Sequence, residues 1–226
     1  MKKYLLLLIV LFSVSNLVSA QNALNFRKLG FGIYAGPQLF GKIYNNESLS
    51  GISGGTFALD LRYAFSNEPK GFSLHLQPGY NTFRLFFSEG KNTQIYRENT
   101  WKWGAFHVPL LARYTFSSGR IRPFVEIGPT LRLRTTLNVR NTGYICGVAG
   151  CSGIDQVSDL QSISKDPILI TASAGVEIAL GKVTIPVAIR IQEGLNTFGM
   201  KNPVFDGPYY DGLKTKTVQV TAGISF

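Results

Sequence analysis

Nine side chains concentrate the chemistry of this 226-residue chain: Asp60, Arg62, His75, Arg113, Glu126, Arg132, Arg134, Glu177 and Arg190. Each falls on the polar side of a segment whose other side is apolar, so reading at period two sends all nine toward one shared interior. Five arginines then meet three carboxylates and a histidine, and the first expectation is a structural network of ion pairs and hydrogen bonds. The sharper alternative, drawn from the positive excess, is a bound anion or a narrow anion path. His75 beside Glu126 or Asp60 would make an acid–base dyad, yet neither His75 nor His107 lies in a recognisable nucleophile motif, and no catalytic residue is assigned. Cys146 and Cys151 flank Gly147-Val-Ala-Gly150 and are expected to form a disulfide that shapes a loop tip. Two cysteines alone lack the further ligands that zinc needs, so no metal or cofactor is expected.

The elements that must hold these residues are strands. Alternation gives eight candidates: Lys28 to Phe40, Gly55 to Phe65, Gly71 to Arg84, Trp101 to Phe116, Arg122 to Thr135, Pro167 to Leu180, Lys182 to Asn196 and Thr215 to Phe226. The second is the clearest, with Phe57, Leu59, Leu61, Tyr63 and Phe65 opposed to Ala58, Asp60, Arg62 and Ala64. Connections alternate between long polar stretches (Gly41 to Gly54, Leu85 to Thr100, Thr136 to Asp166, Thr197 to Lys214) and short turns (Ser66 to Lys70, Ser117 to Ile121, and Gly181). The expected fold is therefore all-β: a transmembrane antiparallel up-and-down β-barrel of eight strands with a filled lumen. Shifting a strand by one residue would put its charges in lipid at ~2–4 kcal/mol per mid-membrane arginine, so the register is strongly specified. Pro37, Pro78, Pro109, Pro129 and Pro186 sit inside these strands and each removes a ladder donor, which predicts bulges or irregular pairing there.

The ends agree with that fold. Lys2 and Lys3 precede the apolar run Tyr4 to Phe12 and then Val18-Ser-Ala20, which reads as a signal peptide over residues 1–20, cleaved after Ala20, ahead of a barrel domain over 21–226. No later apolar run is long enough for a transmembrane helix. Val218, Val220, Ala222, Ile224 and Phe226 would face lipid, and Gln219, Thr221, Gly223 and Ser225 would face inward. Phe31, Tyr63, Phe65, Phe72, Tyr114, Phe116 and Phe226 gather toward the short-turn side as an interfacial girdle. The formal net charge of +10 does not point to nucleic acid, because many arginines sit singly at alternate strand positions and form no surface cluster. The expected setting is the outer membrane of a Gram-negative bacterium, with outer-membrane lipid as a partner and the barrel-assembly machinery engaged during insertion.

Three segments carry a family likeness: Leu29-Gly-Phe-Gly-Ile-Tyr-Ala-Gly-Pro37, then Val108-Pro-Leu-Leu-Ala-Arg-Tyr114 followed by Arg122-Pro-Phe-Val-Glu-Ile-Gly-Pro129, then Gly175-Val-Glu-Ile178. The chain resembles the PorT-like outer-membrane β-barrel family over nearly all of its mature length. That resemblance implies a small barrel without family catalytic residues, and a link through the founding member to protein export by a type IX apparatus. The reading of function is a non-enzymatic scaffold or interaction protein working through its extracellular loops, where Tyr44, Tyr96, Tyr144, Phe205, Tyr209 and Tyr210 stand among Asn, Gly and Ser. Its alternatives are an accessory of a secretion apparatus, meeting a secretion or surface protein, a lipid-modifying enzyme, and a small anion channel.

Overall fold

The computed structural model describes residues 28–44, 49–50, 53–89, 94–162, 168–196, 198–201 and 210–226. The expected signal peptide and its Ala20 boundary lie outside them, as do Phe205 and Tyr209. Twelve strands follow in chain order: β1 Leu29–Tyr44, β2 Leu49–Ser50, β3 Ser53–Ala64, β4 Gly71–Leu76, β5 Gly79–Glu89, β6 Ile95–Thr115, β7 Ile121–Gly147, β8 Gly150–Ser162, β9 Ile168–Leu180, β10 Val183–Gly194, β11 Phe198–Lys201 and β12 Tyr210–Ser225. All pairings are antiparallel and all strands belong to one sheet.

The expected regular eight-stranded up-and-down barrel with a filled lumen is not what forms. The described residues form twelve strands, and their sheet does not close as a regular barrel because its path branches. β3 pairs with both β4 and β5; β7 pairs with β6, β8 and β9; β12 pairs with β1, β10 and β11. Two physical causes account for the difference. The segment read as one strand from Gly71 to Arg84 is broken at Gln77-Pro78, where proline supplies no ladder N–H; the Leu59 and Gln77 amides donate to the Pro78 and Pro109 carbonyls across the break. The polar stretches read as loops continue as ladder instead, β7 running to Gly147 and returning as β8 through a two-residue turn. Beyond the lipid both faces of a strand meet water, so alternation of apolar and polar residues, the signal that marks a half-buried strand, is absent there.

Along the other strands the two faces separate as their composition requires. Leu59, Leu61, Ile127, Leu131, Leu133, Ile189, Ile191 and Ile224 are exposed on the outside, far more apolar surface than a water-soluble fold leaves uncovered. Aromatic rings pack together at one end of that band: Phe31 on Phe226 at 5.6 Å, Tyr63 on Phe65 at 5.4 Å, and Tyr114 between Phe72 at 4.8 Å and Phe116 at 5.0 Å. The buried side is polar, containing Asp60, His75, Gln77, Arg113, Glu126, Thr130, Glu177, Arg190 and Gln219. One bulge redirects a strand. Phe106 stands opposite Arg134 but His107 opposite Arg132, leaving Leu133 as the extra residue of β7. Inward parity on β7 therefore passes from Glu126, Thr130 and Arg132 below the bulge to Val139 above it.

Candidate functional site in the polar interior

The interior side chains meet because cross-strand register aligns them in a row. Ser73 on β4 is opposite Arg113 on β6, Arg113 opposite Glu126 on β7, Glu126 opposite Ser173 on β9, Ser173 opposite Arg190 on β10, and Arg190 opposite Gln219 on β12. Directly opposed residues bring their Cβ atoms close enough to interact, so the row becomes a chain of contacts. Glu126 is its hub. Arg113 donates to Glu126 Oε2 from Nε at 2.9 Å and from Nη2 at 2.7 Å; Arg190 Nη2 and the Ser173 hydroxyl donate to Oε1 at 2.8 and 2.7 Å. Both carboxylate oxygens are thus held, as a buried charge requires.

Other bonds cross the interior. Arg190 donates to the Tyr34 hydroxyl of β1 through Nη1, to Gln77 Oε1 through Nη2 at 2.7 Å, and lies over the Tyr34 ring at 4.7 Å. Gln77 Nε2 in turn donates to Asp60 Oδ1 at 3.0 Å, and Asp60 accepts from His75 Nδ1 at 2.8 Å while His75 Nε2 meets the Ser73 hydroxyl at 3.0 Å. Arg113 Nη1 donates to Glu177 at 2.6 Å and its guanidinium sits over Phe124 at 4.0 Å; Arg122 Nε stands 3.8 Å from the second Glu177 oxygen and its Nη2 donates to Thr184 at 3.0 Å. Arg62 reaches inward past Gly30 opposite, where any Cβ would collide with the guanidinium.

Above this layer the described interior is sparser, and Arg132 is a cation among otherwise neutral side chains. Thr130 and Thr171 share a hydrogen bond at 2.6 Å, Asn81 donates to Gln192 at 3.0 Å, and Arg132 donates to Thr215 at 2.9 Å and lies 5.7 Å from the Trp103 ring. Two small gaps adjoin the network: about 20 Å³ of water-accessible volume beside Tyr34, Asp60 and Arg190, and about 10 Å³ beside His107, Arg132 and Gln192. A water occupies ~10–15 Å³ by that measure, so these gaps suit single waters rather than a hydrated ion.

Of the nine residues singled out from sequence, the structure brings Asp60 and His75 together, and Arg113, Glu126, Glu177 and Arg190 together, with Gln77 bridging the groups. Arg62 stands at the edge and Arg132 in the upper layer. Arg134 pairs with Phe106 in the ladder just past the bulge, and its side chain lies outside the described ones. Arg122, Tyr34, Gln77 and Ser173 were not singled out, although Arg122 shares the parity of Glu126 and was legible as the opening residue of its segment. Cys146 and Cys151 are opposed at the tip of the β7–β8 hairpin and joined in a disulfide. Among the described residues no group of three or more His, Cys, Asp or Glu side chains is placed to hold a metal.

A lipid-ready outer face around a charged inner one is the pattern of a membrane barrel, and residues 19–198 match the outer membrane protein beta-barrel domain family. The chain belongs to that family. This outer membrane protein is similar to solved barrels at low identity: Neisserial surface protein A at 14% (86% of this chain, 95% of that one, TM-score 0.43), the attachment invasion locus protein Ail of Yersinia pestis at 11% (88% and 100%, 0.42), and the outer membrane protease OmpT of Escherichia coli at 11% (92% and 99%, 0.46). No curated protein matches it. The family places the protein in the outer membrane of a Gram-negative-type envelope.

Proposed function

We propose that this outer-membrane barrel is a non-enzymatic interaction protein whose working surface is the sheet extension ending in the β7–β8 hairpin, with the interior network serving to hold register. The observation that carries this reading is the extension itself. Ile95 to Thr100 of β6 pair with Arg140 to Ile145 of β7, which pair in turn with Ser152 to Val157 of β8. The rings of Tyr96 and Tyr144 pack at 5.5 Å, Arg140 binds Asp155 through two hydrogen bonds at 3.0 and 2.8 Å, and the disulfide closes the tip. Tyr144, Ile145, Val148 and Val157 are exposed on this braced hairpin. A surface ordered in advance loses little conformational freedom on binding, and apolar side chains held out in water gain from being covered.

The test is photocrosslinking in the native membrane from a reactive residue replacing Tyr144 or Val157. A discrete protein adduct from these positions, absent from the lipid-facing Leu59, is expected; adducts only to lipid or water from all three would remove the proposal. A narrower form, an accessory beside a type IX-like secretion apparatus, draws support from the PorT-like segments Val108 to Tyr114 and Arg122 to Pro129. These lie on the neighbouring strands β6 and β7 and supply the Arg113–Glu126 pair. It requires export proteins to co-purify with the barrel in detergent, and a barrel recovered alone would count against it.

A further inference from the structure

The outer wall holds a pair of directly opposed cations. Arg84 of β5 and Lys102 of β6 are direct cross-strand partners, both exposed, with the buried Trp101 and Trp103 on either side of Lys102 pointing the other way. Elsewhere on the surface Arg140 is paired with Asp155, and Lys214 and Lys216 with Glu193. Among the described residues Arg84 and Lys102 have no such carboxylate. Like charges directly opposed on an antiparallel ladder repel, and an anion seated between them relieves that repulsion.

The surroundings are built to receive one. In register, Ser53 is the ladder partner of Arg84 on β3 and Asn138 that of Lys102 on β7. One outward step below, Thr82, Gly104 and Thr136 form a row of small residues. A Cβ at Gly104 would strike the Tyr80 hydroxyl and crowd Thr136 Oγ1, so Tyr80 leans across the glycine toward the charged pair and two hydroxyls sit beneath it. Tyr80 and its partner Phe106, both exposed, lie below that.

The height fits a headgroup. From the girdle residue Phe116 to Phe106, strand rise and a tilt near 40° give about 26 Å along the membrane normal, against an apolar band of ~25 Å. Lys102 then stands roughly 10 Å further, just outside the headgroup layer, from where its long side chain reaches back toward lipid phosphates, with the aromatic pair below it against acyl chains. We propose that Arg84 and Lys102, above the Tyr80 and Thr136 hydroxyls, bind the phosphate of a lipid headgroup in the adjoining leaflet.

Native mass spectrometry of the detergent-purified full chain tests this with lipid A carrying both phosphates and with the same lipid dephosphorylated. Retention of the phosphorylated form is expected, weakened about thirtyfold in Arg84→Gln/Lys102→Gln and unchanged in Lys182→Gln at the short Gly181 turn. Millimolar inorganic phosphate is expected to leave the lipid bound. Equal binding of the dephosphorylated lipid, undiminished binding by the double variant, or displacement by inorganic phosphate would overturn the assignment. Should the glutamine pair fail to show the gel mobility shift of a folded barrel, Arg84→Glu supplies Lys102 with a partner across the ladder and is expected to lose the lipid equally.

Discussion

Glu126→Gln is the perturbation that asks most of the interior network. The side chain is fully buried and accepts four hydrogen bonds, two from Arg113 and one each from Arg190 and Ser173. Glutamine keeps the shape, removes the charge, and turns one acceptor into an N–H donor facing a donor. Arg113 retains Glu177, but Arg190 is left with only the neutral Tyr34, Gln77 and Ser173. Breaking a buried pair by removing one partner costs about 3–5 kcal/mol, and no discount for solvent screening applies where both partners are buried. That is a large share of the ~5–15 kcal/mol that holds a typical fold together. Reversible denaturant titration in phospholipid vesicles, followed by tryptophan emission, reads the loss. The double variant Glu126→Gln/Arg190→Gln removes the stranded cation and is expected to be less destabilised than the sum of its singles by ~1–3 kcal/mol. A Glu126→Gln protein within ~0.5 kcal/mol of the parent, or strict additivity in the cycle, would refute the claim that this network holds the register.

Leu59→Arg on the outer face is expected to cost ~2–4 kcal/mol in the same titration if that position lies near mid-membrane. Gly30→Leu is expected to displace Arg62 and destabilise by ~1–3 kcal/mol, whereas the shorter Arg62→Ala in the same background restores part of the loss. Cys146→Ser/Cys151→Ser opens a small ring at the hairpin tip, so amide exchange should quicken from Thr142 to Asp155 while the unfolding midpoint of the whole barrel stays put. The Arg140 hydrogen bonds hold the Asp155 carboxyl below its ordinary range. Their contribution is therefore complete above the ordinary carboxylate range and disappears as pH falls through the lowered value, which exchange rates of the hairpin amides across acid pH will report.

Much of the fold was legible because lipid imposes its own grammar. Strands such as Gly55 to Phe65, with apolar and polar residues in strict alternation, declared both their existence and their register, and the buried Asp60 follows from the exposed Leu59 and Leu61 beside it. The break at Pro78 was flagged by the missing donor but not placed, since proline in a strand also fits an edge or a bulge, and only the Gln77 and Leu59 amide bonds decide between them. The bulge at Leu133 shifts inward parity on β7 between Arg132 and Val139, and no residue type marks where a ladder accepts an extra residue. The hairpin to Gly147 and back was read as loop because water on both faces removes the alternation on which strand reading depends. Tyr34 escaped notice for another reason: its partner Arg190 lies on a strand that does not pair with β1, Gln77 reaches the same guanidinium from the far side, and such contacts depend on how the whole sheet curves.

Site-directed spin labels at Leu59 and Ile189, compared with one at Thr130, test the division of the protein into a lipid-facing outside and a charged inside. Oxygen broadening without broadening by a water-soluble nickel chelate is expected at Leu59 and Ile189, and neither at the buried Thr130. Strong broadening by the chelate at Leu59 and Ile189 in lipid vesicles would contradict the account.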